Sequence, residues 1–118
     1  MNLGLDGVYL PSFYNKLNTN KLNTKKKFLI IGSAHTMAEI LIKEKQGSDM
    51  IFLSPLFKTK KSKHFLNTVK FNLLTLKTNK KIIALGGIDT RNVKRLRMIN
   101  AFGFAGISYF NKNYKINQ

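Results

Sequence analysis

Four short stretches carry the residues able to do chemistry, and each follows an apolar run. Gly32-Ser33-Ala34-His35 offers a hydroxyl and an imidazole, groups that contact a polar ligand or act as acid and base. The same pair reads equally well as a chain turn at Ser33, with His35 helping to cap a helix that starts at Thr36. Ser54-Pro55-Leu56-Phe57-Lys58-Thr59 runs on into Lys60, Lys61, Ser62 and Lys63, cations and hydroxyls suited to a polyphosphate. Its blander reading is a solvated surface loop. Gly86-Gly87-Ile88 and Gly106-Ile107-Ser108 are glycine turns whose backbone amides can approach phosphate oxygens, because glycine takes positive φ with no Cβ in the way. A tight strand-to-helix turn explains the paired glycines as well. Two such cradles at the ends of neighbouring strands make a stronger phosphate signal than either alone. His64 has no local partner and reads as a loop residue. No Ser-His-Asp order, metal-binding helix or nucleotide fingerprint is present.

The elements that must position these groups are legible in the apolar pattern. Phe28 to Ile31, Met50 to Leu53, Ile82 to Leu85 and Phe102 to Ile107 read as buried strands, with a shorter one at Gly7 to Leu10. Near-continuous apolar runs, as opposed to clean alternation, are what a parallel sheet requires. Between them lie helical patterns. Thr36 and Glu39 have capping-box spacing, Met37, Ile40 and Leu41 follow, and Gly47 supplies a stop, which predicts a helix from about Thr36 to Gln46. A second amphipathic stretch uses Leu66, Val69, Leu73, Leu74 and Leu76. A third opens at Asp89 or Thr90 and carries Val93, Leu96 and Ile99. Pro11 to Thr24 reads as a loop with at most one helical turn around Phe13 to Leu17. The order β, loop, β-α-β-α-β-α-β is an α/β architecture, either an open doubly wound sheet or five-eighths of a barrel.

Length and charge bound the answer further. With 118 residues, 43% of them hydrophobic, there is room for one domain with a modest core. It is expected over residues 1–110, with 111–118 a polar tail. The absence of cysteine excludes a disulfide framework and every thiolate-ligated metal site. No apolar run reaches the roughly 18 residues of a spanning helix, and the amino end carries no basic leader, so a soluble, cytoplasmic protein without a membrane partner is expected. The 21 Lys and Arg against 5 acids give +16, so anionic partners are expected. Lysine-rich, asparagine-rich composition also arises from coding bias alone. The cations are spread along the chain, with runs at Lys25-Lys26-Lys27, Lys60-Lys61 and Lys80-Lys81, which argues against a dedicated nucleic-acid footprint.

Taken in order, the strand-end motifs Asp6-Gly7-Val8-Tyr9-Leu10, Ile31-Gly32-Ser33-Ala34-His35, Asp49-Met50-Ile51-Phe52-Leu53-Ser54-Pro55-Leu56-Phe57-Lys58-Thr59, Ala84-Leu85-Gly86-Gly87-Ile88 and Phe104-Ala105-Gly106-Ile107-Ser108 resemble the thiamine phosphate synthase and thiazole tautomerase family. The match runs from about Leu3 to Phe110. The resemblance implies a partial (β/α)8 barrel comprising strands four to eight, truncated at the amino end. It implies an enzyme that couples hydroxymethylpyrimidine diphosphate with thiazole phosphate to give thiamine phosphate and diphosphate, with Mg2+ as cofactor. Carried over residue by residue, Gly86, Gly87, Ile107 and Ser108 would hold the thiazole phosphate through backbone amides and Thr59 would meet the same ligand. Ser33 would line the site together with His35, Lys60, Lys61 and Lys63.

The departures are specific. Lys61 and Ser62 stand where the family has a second threonine and a lysine, so a diphosphate contact would fall to Lys60, Lys61 or Lys63. Pro11-Ser12 replaces the Gly-Gln that leads to a magnesium aspartate, and the remaining magnesium and diphosphate ligands belong to the absent amino-terminal third. Pro55 occupies the place of the tautomerase histidine. No catalytic residue and no metal ligand is therefore assigned. The alternative is a non-catalytic module that binds a phosphate ester such as thiazole phosphate, and a barrel missing three strands is expected to self-associate or take a partner chain.

Overall fold

The computed structural model describes residues 7–17 and 29–106. Five strands, β1 (Gly7–Leu10), β2 (Leu29–Ala34), β3 (Met50–Leu53), β4 (Lys81–Leu85) and β5 (Gly103–Ala105), form one sheet in the order β1-β2-β3-β4-β5. Every neighbouring pair is parallel. A doubly wound sheet reverses its strand order at a switch point. The unbroken sequential order seen here is that of a barrel arc, and it settles the alternative that periodicity left open.

Register and burial divide the sheet into two faces. Gly32, Ile51 and Ile82 lie side by side, as do Ala34, Leu53 and Ala84. This face meets Ile40 of α1 (Met37–Lys45), Leu66 and Phe71 of the α2 region (α2, Asn67–Thr75), Val93 and Leu96 of the 3-10 helix Val93–Met98, and Ile99 just after it. All the helical elements thus share one core on one face, as a barrel wall requires. Alternate strand residues point the other way, and there Tyr9, Ile31, Phe52 and Leu85 stay half-buried.

The local chemistry explains most boundaries. Thr36 caps α1 by accepting from the Glu39 amide at 3.2 Å. The reciprocal arm differs from the standard box, because the Glu39 carboxylate takes the His35 amide at 2.7 Å. The helix ends in a Schellman turn: Gly47, at φ 86°, donates to the Glu44 carbonyl, and the Ser48 amide donates to that of Lys43, each at 3.0 Å. Asp49 then binds β3 to β2, donating its amide to the Ile30 carbonyl (2.7 Å) and accepting the Ile30 amide on Oδ2 (2.8 Å).

Two readings of the sequence are corrected. The third helical pattern is a 3-10 helix, whose three-residue period matches the Val93, Leu96, Ile99 spacing better than an α-helix does. In α2 the expected stripe is split: Leu66 and Leu74 pack on the core, but Val69, Leu73 and Leu76 are 71%, 56% and 73% exposed, while Thr68, Phe71 and Thr75 face inward. Phe28 and the expected end of the last strand at Ile107 lie outside the described residues.

Lys43 is fully buried on α1 and passes over Gly32, where an added Cβ would lie 2.6 Å from Lys43 Cδ. Its Nζ donates to the Tyr14 carbonyl (2.6 Å) and to Gln46 Oε1 (2.8 Å), and Gln46 Nε2 donates to the carbonyls of Tyr14 and Lys16. Together they hold the segment after β1 against the helix. Burial pushes the Lys43 ammonium below its ordinary value of 10.5, opposed in part by Glu39. The unfolded chain therefore binds more protons between the lowered value and 10.5, and stability contributed at this site rises with pH through that window. Comparing Lys43→Met with the parent by urea unfolding at neutral pH and near the top of the window should show the parent gaining on the variant as pH rises.

Candidate functional site

The carboxyl ends of β2, β3 and β4 open onto a cleft of about 730 Å³. Its wall takes His35, Ser54 and Gly86 from the three strand ends, and Ser62, His64 and Lys70 from the loop and helix that follow β3. His35 Nδ1 lies 2.8 Å from the Ser54 carbonyl and 3.3 Å from Ser54 Oγ. A carbonyl only accepts, so Nδ1 carries the proton and Nε2 is the basic nitrogen of the ring. Ser33, buried on the inner face of β2, is hydrogen-bonded to the Tyr9 hydroxyl.

The glycine turn after β4 is built around close backbone approach. Gly86 and Gly87 have φ of 100° and 73°. The chain leaving β3 through the cis Ser54–Pro55 bond runs alongside them: the Leu56 amide donates to the Leu85 carbonyl at 2.9 Å and the Phe57 amide to that of Gly86 at 3.1 Å. A Cβ on Gly87 would meet the Phe57 and Lys58 carbonyl oxygens at 2.4 and 2.7 Å. Asn92 closes the turn from outside, donating Nδ2 to the Gly87 carbonyl (2.7 Å) and accepting the Asp89 amide (2.9 Å). This packing accounts for both glycines structurally, alongside any use of their amides.

Thr59 and Lys60 lie elsewhere. With Phe57, Lys58, Phe65, Arg91, Asn92 and Arg95 they line a second cleft of about 400 Å³ between the β3–α2 loop and the 3-10 helix. Thr59 is fixed there by an exchange with Ser62, whose amide donates to Thr59 Oγ1 at 2.9 Å. The residues singled out from sequence therefore divide: His35 and Gly86 line the first cleft, Thr59 and Lys60 the second, and Phe65 borders both. Lys61 and Lys63 are exposed on the loop and line neither. Ile107 and Ser108 lie outside the described residues. Sequence reasoning passed over Lys70, Arg91, Asn92 and Arg95. A signal existed for two of them, since all three arginines of the chain fall between positions 91 and 97.

Among the described residues no three His, Cys, Asp or Glu side chains gather as a metal site would require. Asp89, the acid nearest the glycine turn in sequence, is engaged by Arg91 at 2.6 Å, a hydrogen bond that also raises the Arg91 pKa. The described residues do not bring together a ligand set for magnesium. No described helix is long and apolar enough to cross a membrane.

Comparison with known proteins gives a consistent picture. The family model described as thiamine monophosphate synthase matches residues 1–110. A protein of Aquifex aeolicus named "Putative thiamine-phosphate synthase 2" is 36% identical over 115 residues, covering 89% of this chain and 57% of the relative. The thiamine-phosphate synthase of Mannheimia succiniciproducens is 27% identical over 98% of the chain and 55% of its own length. Thiamine phosphate pyrophosphorylase from Pyrococcus furiosus superposes with a TM-score of 0.69 at 22% identity, over 87% of this chain and 50% of that one. The chain thus spans a little over half the length of these two curated relatives and half of that solved structure.

Proposed function

Because this chain belongs to the thiamine monophosphate synthase family, we propose that residues 1–110 form the thiazole-phosphate half of a synthase barrel that takes part in thiamine biosynthesis. In this reading the thiazole phosphate sits at the carboxyl ends of β4 and β5. Its phosphate is held by the backbone of Gly86, Gly87, Ile107 and Ser108, with Ser33 and His35 nearby, while Thr59 lines the adjoining cleft. The observation that carries the reading is the consecutive left-handed pair Gly86–Gly87 at the end of β4, beside a cleft with room for a small heterocycle. His35, anchored through Nδ1 to Ser54, presents Nε2 as a fixed acceptor for a ligand proton. The coupling partner is a pyrimidine methyl diphosphate, whose leaving diphosphate requires neutralising charge. Magnesium supplies that charge in the family. The described side chains do not form a site for it.

That misfit favours a second reading, in which the chain binds the phosphate ester without turnover until another segment or chain completes the barrel. Calorimetry with hydroxyethylthiazole phosphate, followed by an assay for thiamine phosphate in the presence of pyrimidine diphosphate and magnesium, separates the two. Saturable binding with product formation supports the synthase, and binding without product supports the module. Failure to bind the thiazole phosphate would sink both.

A further inference from the structure

We propose that the outer face of α2 is a docking seam for a partner helix that is itself amphipathic and acidic, an interaction independent of the thiazole-phosphate reading. Leu66, Val69, Leu73 and Leu76 fall at successive a and d positions of one heptad frame, and Lys70 and Lys77 both fall at its e position. Leu66 precedes the helix and turns into the core. The other three stay outside, each more than half exposed, and they share an arc of about 60° on a helix of 3.6 residues per turn. Leaving them in water forgoes about 1.5–3 kcal/mol for each side chain. The rotation is fixed all the same, since Asn72 is bonded to the Met98 carbonyl and the Asn100 amide while Thr68 and Thr75 face inward. A contiguous apolar ridge held outward in this way marks an interaction surface.

Shape and charge select the occupant. A narrow a/d line is the geometry that another helix reads through anchors at three- and four-residue spacing, whereas a helix lying in a membrane interface presents a broad apolar face. The nine residues of α2 give a ridge about 13 Å long. A contact of that length falls below the roughly 1,200 Å² of stable complexes, so the association is a transient one. One flank of the ridge is taken, because Asn72 falls at g and binds the 3-10 segment. The e flank carries Lys70 and Lys77, both exposed. No acid stands on α2, and the only one between Phe65 and Asn100 is Asp89, engaged by Arg91. Charges at e choose the partner, and here they choose a helix with Asp or Glu beside its apolar anchors. A second copy of this chain is disfavoured, since it would bring ridges flanked by lysine together, each on a molecule of net charge +16.

The test is fluorescence anisotropy of a labelled synthetic peptide titrated with the full chain at about 0.15 M salt. The peptide has about three heptads, with leucine at a and d and glutamate at e and g, and its own like charges oppose self-pairing at neutral pH. The same peptide with lysine at e and g is the second probe. The acidic peptide should bind saturably, and about tenfold or more tightly than the basic one. Leu73→Ala/Leu76→Ala, at exposed positions, should keep the chain folded by urea unfolding yet weaken the acidic peptide by about tenfold or more. Lys70→Glu/Lys77→Glu should reverse the preference between the two peptides. Leu41→Ala, an exposed leucine of α1, should leave binding within about twofold of the parent. Absence of saturable binding, or an equal loss in the Leu41 and the seam variants, overturns the proposal. So does a dimer of the chain alone that Leu73→Ala/Leu76→Ala dissolves, which would assign the ridge to a second copy. Displacement of the peptide by phosphatidylserine vesicles overturns it as well, and would assign the ridge to a membrane surface.

Discussion

Gly87→Ala is expected to destabilise the protein by about 2–5 kcal/mol and to remove the proposed thiazole-phosphate binding with it. The added methyl would sit 2.4 Å from the Phe57 carbonyl oxygen and 2.7 Å from that of Lys58, both main-chain atoms that cannot rotate aside. The left-handed backbone at φ 73° adds about 1–2 kcal/mol for any residue with a Cβ. Relieving the contact means lifting the loop off β4. That breaks the bonds from the Leu56 and Phe57 amides to the Leu85 and Gly86 carbonyls, each a net contribution of about 0.5–1.5 kcal/mol. Gly103→Ala is the control. There the nearest atom to a new Cβ is Ile83 Cδ1 at 3.4 Å, so chemical unfolding should show a change within about 1 kcal/mol. Equal midpoints for the two variants would mean that the loop does not lean on Gly87.

The contrast between these two glycines also marks what a sequence can and cannot convey. That the Gly86-Gly87 pair turns the chain at a strand end is written in residue types, because only glycine takes consecutive positive φ cheaply. Which backbone lies across it is a tertiary fact, and here it is the chain from Pro55 to Lys58. Strand positions were legible for a related reason. Met50 to Leu53 and Gly7 to Leu10 occupy the strands read from their apolar runs. The sheet order was not legible in that pattern, since neighbouring in sequence does not dictate neighbouring in a sheet, and only the resemblance to a barrel family implied it.

The candidate site was less legible than the fold. One run, Ser54 to His64, reads as a single loop of hydroxyls and lysines, yet its ends and its middle serve different clefts. His64 and Ser62 turn toward His35 and Gly86, while Thr59 and Lys60 turn toward Arg91 and Arg95. The divergence follows from the exchange between Thr59 and Ser62, which folds the loop back on itself. The arginines that complete the second cleft are some thirty positions away, and only the packing of the 3-10 helix brings them there.

Helix α2 is where hydropathy misleads, and it supplies the sharpest stability test. Two stripes compete on it. Val69, Leu73 and Leu76 have the greater apolar weight, but Thr68, Phe71 and Thr75 have the same helical spacing and are the ones buried. Polar contacts decide the rotation. Asn72 donates Nδ2 to the Met98 carbonyl and accepts the Asn100 amide on Oδ1, each at 2.7 Å, which locks the helix to the end of the 3-10 segment. The Thr75 hydroxyl is satisfied by the Asn72 carbonyl at 2.7 Å, so threonine can face inward as a methyl group. With the helix so turned, Phe71 is fully buried in the core shared by β3 and β4. Phe71→Ala should therefore cost about 3–5 kcal/mol, the transfer term plus the cavity left behind. In a domain whose whole stability is on the order of 5–15 kcal/mol, that is a large fraction. Leu73→Ala, at a position 56% exposed, should cost less than about 1 kcal/mol. Urea unfolding of the two variants measures the difference. A Leu73 variant as unstable as the Phe71 variant would mean that α2 presents its leucine stripe to the core, and that the Asn72 contacts do not set its rotation.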